Sequence, residues 1–71
     1  MKLHYYPETD SLYIDLNARP SSDSRVIADG LVADFDEDGN LVGIDIEHAT
    51  EKLDLRTLET EALPISAVKM S

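Results

Sequence analysis

Five residues between positions 34 and 45 have the types and spacing of a cation loop. In "DFDEDGNLVGID", Asp34, Asp36 and Asp38 alternate, Gly39 follows, and Asp45 closes a span of twelve residues. An EF-hand loop places carboxylates at its first, third, fifth and twelfth positions, with glycine at the sixth. Asp34, Asp36, Asp38, Gly39 and Asp45 occupy those places, with the shorter Asp45 where a bidentate glutamate is usual. That loop normally joins two helices, whereas period-two patterns flank this one. "DEDGN" is also ordinary hairpin punctuation, since Gly39 supplies a positive φ and Asn40 tolerates one. The stretch therefore reads first as a turn, with calcium at Asp34, Asp36 and Asp38 as the alternative.

A second group of polar residues emerges from the alternation itself. Successive side chains of a strand point to opposite faces. Leu3, Tyr5, Leu12, Ile14, Leu16, Leu31, Ala33, Phe35, Val42, Ile44 and Ile46 then line one face of a sheet. His4, Tyr6, Tyr13, Asp15, Asp34, Asp45 and Glu47 fall on the other, as expected for an antiparallel sheet with one wet side. A surface of aromatics and carboxylates suits a basic protein partner, and these seven residues are the candidate contacts. The alternative is a plain solvated face.

Enzyme chemistry finds little support. His4 and His48 are the only histidines, and neither lies in a nucleophile elbow or a zinc helix motif. Gly30, Gly39 and Gly43 are dispersed and form no phosphate loop. The reading is a non-enzymatic domain with no catalytic residues, an enzyme with a dimer-formed site being a distant alternative.

The elements that position these residues follow from the same pattern. "PETD" separates the first two strands, and "ARPSSDS" is a loop by composition. Asp29-Gly30 suits either a tight hairpin turn or a glycine bulge within one long strand. The bulge is preferred, because Arg25 to Ala28 is short for a strand of its own. After residue 49 the period changes. Leu55, Leu58 and Ala62 form a helical stripe, with Asp54 as N-cap and Pro64 as the stop, predicting a helix over about 54–63. A start at Thr50 would lengthen it by a turn. The fold class is α+β: an antiparallel meander of four or five strands with one C-terminal helix on its apolar face. The pattern does not decide between a strand, a dimer contact and a frayed end for residues 65–71.

Seventy-one residues make a single small domain, 1–71, near the lower limit for an independent core. Without cysteine, no disulfide or thiolate site reinforces it, and a homodimer is expected. The formal charge of −9 disfavours nucleic acid and anionic membranes and favours basic partners. The N-terminus has no signal-peptide pattern and no apolar run is long enough for a membrane span, so a cytoplasmic location is expected.

Three stretches carry a resemblance: "YYPETDSLYIDL" (5–16), "ADGLVADFDEDGNLVGIDI" (28–46) and the trailing "EHAT". They resemble the small, mostly bacterial domain-of-unknown-function family numbered 2283, over residues 5 to about 50. Tyr6, Asp10, Leu12, Tyr13 and Ile14 match its first block, with Pro7 where aspartate is frequent. Asp29, Gly30, Asp34, Asp36, Gly39, Gly43 and Ile44 match its second, with Asp45 in place of glutamate. The resemblance implies a compact β-rich domain without a recognised active site. By analogy with other small acidic proteins, an antitoxin-like neutralising role is one version of the partner reading.

Overall fold

The structure is a computed structural model and describes residues 1–64. Its five strands are β1 (Lys2–Tyr6), β2 (Ser11–Asp15), β3 (Asp23–Ala28), β4 (Leu31–Phe35) and β5 (Leu41–Ile46), followed by one helical turn, α1 (Ala49–Lys52). They form one antiparallel sheet in the order β1-β2-β5-β4-β3. Strands β3, β4 and β5 make the expected meander. The β1–β2 hairpin then joins along β5, so the first third of the chain pairs with the last strand.

That order converts the period-two pattern into rows across the sheet. On the apolar side, Tyr5, Leu12, Ile46 and Leu31 stand in one row, and Leu3, Ile14, Ile44 and Ala33 in the next. The core gathers where the rows meet α1: Leu12, Ile46 and Ala49 are buried, with Ile14, Leu31 and Ile44 packed against them. Toward β3, the Arg25 guanidinium lies 4.8 Å from the Phe35 ring centroid and covers that end of the face.

Two expectations change. Asp29-Gly30 is the turn between β3 and β4, with Gly30 at φ +73°, and β3 is a strand in its own right. The bulge lies one step earlier, between Val26 and Ala28. The helix is also displaced. It is the single turn Ala49–Lys52, and residues 53–64 hold no helix. Leu53 turns extended (φ −127°, ψ 150°), and Asp54 folds back to accept the Arg56 N–H at 3.1 Å. Such a side-chain bond offers the backbone an alternative to helix. A short helix depends on burying its stripe, and Leu55 and Leu58 stay exposed. The readings of residues 65–71 lie outside the described residues.

Candidate functional site

The wet face is also built of rows. His4, Tyr13, Asp45, Val32 and Val26 form one; Lys2, Asp15, Gly43, Asp34 and Ser24 form the other. Six of the seven candidate residues, His4, Tyr6, Tyr13, Asp15, Asp34 and Asp45, thus share one face. Glu47 follows the end of β5, exposed, where its N–H donates to the Gly30 carbonyl.

The centre of this face is organised by Gly43. Because it has no side chain, the Tyr13 ring leans from β2 across β5, and its hydroxyl donates to Asp34 Oδ2 on β4 at 2.8 Å. A Cβ at position 43 would collide with the Tyr13 hydroxyl and ring. Ser24 donates to Asp34 Oδ1 at 2.6 Å, so both Asp34 oxygens are engaged. The bond to Asp34 pushes the Tyr13 phenol up to about 12, with burial and the charges of Asp34, Asp15 and Asp45 adding to it. Glycine inside a strand often marks such a close approach. That was the signal available for this contact.

Asp45 stands beside it in a different condition. It lies in register between Tyr13 and Val32, and its Oδ1 is buried without a hydrogen-bond partner among the described residues. Burial, then the neighbouring Glu47 and Asp34, push its carboxyl above the usual range. The face therefore holds a carboxylate that its own fold has not satisfied. His4 packs on Tyr6 at the outer edge, with ring centroids 4.5 Å apart.

The acidic loop divides its carboxylates rather than gathering them. Asp34 is committed to Tyr13 and Ser24. Asp36 is buried, 8 % exposed, and builds the turn: its Oδ1 accepts the N–H groups of Asp38 and Asn40, both at 2.9 Å. Its Oδ2 accepts from the Asn40 side chain at 3.1 Å and from Arg19 at 3.3 Å. The bonds from Asn40 are the main reason that its carboxyl is held below the usual range, with Arg19 and Asp38 contributing. Asp38 is exposed. Among the described residues, no three His, Cys, Asp or Glu side chains are grouped to hold a metal ion.

Asp10, at the other end of the sheet, plays a part the site reading did not give it. It takes a left-handed φ of 53°, which aspartate tolerates better than most residues. Its carboxylate accepts from the Tyr5 hydroxyl at 2.7 Å, the Thr50 hydroxyl at 2.7 Å and the Thr50 N–H at 3.2 Å. Its carbonyl accepts the Ala49 N–H at 2.8 Å. These bonds fasten α1 to the β1–β2 turn, and those from Thr50 and Tyr5 hold the carboxyl low.

Comparison with known families gives one finding. The family model described as "Protein of unknown function (DUF2283)" matches residues 2–49. Curated proteins and solved structures yield no match. The chain belongs to the DUF2283 family, and its matched span runs from the start of β1 to the first residue of α1.

Proposed function

We propose that this DUF2283 domain is a non-enzymatic protein-interaction module that presents its acidic sheet face to a basic cytoplasmic partner. One observation carries the reading: the charges of Asp15, Asp34 and Asp45 gather around Tyr13 on one face of the sheet. Guanidinium or ammonium groups supply what that face lacks, and a field of −9 draws such a partner in. Aromatic Tyr13 and Tyr6 give the surface contact area at low entropic cost. His4 on an edge strand and His48 at the helix N-cap stand on separate elements, which supports the non-enzymatic part of the proposal. Neutralising a toxic basic protein, as an antitoxin does, is one form that this role takes.

The test compares equal changes of charge at different places. An arginine-rich peptide is titrated calorimetrically into the wild type, Asp15→Lys and Glu59→Lys. Asp15→Lys should weaken binding by about 1–3 kcal/mol, as for loss and reversal of a charged contact, while Glu59→Lys leaves it nearly unchanged. Binding should also weaken as salt rises. Equal losses in both variants would reduce the face to a diffuse charge effect and defeat the proposal.

A further inference from the structure

Both edges of the sheet, β1 and β3, present backbone N–H and C=O groups that no strand among the described residues pairs. The two edges are built differently. Strand β3 carries a bulge between Val26 and Ala28 and an Asp23–Arg25 ion pair at 3.1 Å, both devices that discourage another strand. Strand β1 is unbroken: all five of its residues pair in continuous register with β2, and all five are exposed. It is also the one strand of the five without a carboxylate. For a chain of charge −9, this is the edge on which two copies meet with least repulsion.

We propose that β1 pairs antiparallel with β1 of a second copy, across a two-fold axis through His4, giving a continuous ten-stranded sheet. Two-fold symmetry relates residue i to j and j to i, and antiparallel partners share a face, so paired residues differ by an even number. Of the registers allowed, the one centred on His4 pairs all five residues. It sets Leu3 against Tyr5 of the copy, and Lys2 against Tyr6 of the copy. Leu3 and Tyr5, 47 % and 40 % exposed, then extend the apolar rows into the neighbour instead of facing water. The second copy is favoured over an unrelated strand by this self-complementarity, in which Lys2 faces Tyr6 of the copy rather than a second lysine and no carboxylate meets a carboxylate. It also suits a core whose buried apolar residues are only Leu12, Ala33, Val42, Ile46 and Ala49 among the described residues. Because the axis is perpendicular to the sheet, both acidic faces lie on the same side. The dimer does not depend on the partner proposed above.

Cysteine trapping in the full chain tests the register, since the native sequence has no cysteine. Directly opposed residues of antiparallel strands have Cα atoms about 4.5–5.5 Å apart, within reach of a disulfide. Two copies of residue 6 would be about 13 Å apart, four residues along the strand. His4→Cys should therefore form a covalent dimer under mild oxidation at least about tenfold faster than Tyr6→Cys. In sedimentation at about 100 µM, where a small interface associates, the wild type should be dimeric and should tighten with salt as the −9 charges are screened. Leu3→Lys should weaken association about tenfold or more with an unchanged far-ultraviolet spectrum, and Val26→Lys on β3 should not. A monomeric wild type, equal trapping of both cysteine variants, or dissociation by Val26→Lys alone would overturn the proposal. Because peptide binding and dimerisation shift oppositely with salt, failure of one is distinguishable from failure of the other.

Discussion

Asp10 and Asp36 sit at opposite ends of the sheet in turns, and each spends both carboxylate oxygens on the fold. Asp10 holds Tyr5 and Thr50; Asp36 holds Asp38, Asn40 and Arg19. Asp45, in mid-strand on the wet face, leaves one oxygen without a donor and bears a raised carboxyl. Chemically identical side chains thus divide into those that build the fold and one that the fold leaves frustrated. The difference is what is near them. Turns expose backbone N–H groups that a carboxylate can accept from, whereas within a ladder the backbone groups are already paired with neighbouring strands.

Removing a builder should produce the largest effect. Asp10→Ala deletes the tie between the β1–β2 turn and α1 and places alanine at a left-handed φ. We expect its melting temperature to fall by about 10 °C or more, as for loss of a hydrogen-bond network in a small domain. The same reasoning sets the acid limit of the wild type. Because the Asp10 and Asp36 carboxyls are lower in the folded state, their stabilisation is complete above the unfolded value. It is lost as pH falls through the folded values, so melting temperature should decline below about pH 4. A pH series of thermal melts checks this. An Asp10→Ala melt indistinguishable from wild type would remove Asp10 from the builders.

A smaller effect is expected at the contact between the classes. Gly43→Ala forces Tyr13 off Asp34, at a cost of roughly 1–3 kcal/mol for an overpacked site. Its sharper signature is spectroscopic. With the Asp34 bond lost, the Tyr13 phenol should titrate below about 12, closer to an ordinary tyrosine. Its ring signals, followed by nuclear magnetic resonance through alkaline pH, report this directly. An unaltered titration would mean that Gly43 does not seat the ring.

The smallest change has the opposite sign. Asp45 is raised on folding, so its ionised form opposes folding at neutral pH and ceases to do so as pH falls below its unfolded value. Asp45→Asn should therefore raise the melting temperature by a few degrees at pH 7, about the scale of a modest stabilising substitution, and the gain should vanish in acid. A lower melting temperature at pH 7 would place Asp45 with the builders, and the comparison would collapse.

Much of this was readable from local pattern. Alternation assigned Leu12, Ile14, Ile44 and Ile46 to one face and Tyr13, Asp15 and Asp45 to the other, because side-chain direction in a strand depends only on parity. Turn chemistry located the DEDGN hairpin tip, and the spacing of aspartates and glycines carried the family. The helix stripe at Leu55 and Leu58 misled, since periodicity does not say whether a surface exists to bury it.

By itself, then, the sequence determined β1, β2, β4 and β5, their two faces, the acidic balance and the family, while β3 emerged as a separate strand only in the structure. Tertiary structure alone decided that β2 lies beside β5, which puts Leu12 against Ile46, Tyr13 over Gly43 within reach of Asp34, and Asp45 in a register without a donor. It also decided that Asp10 reaches Thr50, forty positions away, and so where the helical turn forms. The physical reason is that parity and turn propensity act between adjacent residues, while neighbours across a sheet are set by strand order. That order is chosen by burying the apolar rows together, a property of the whole chain and of no single segment.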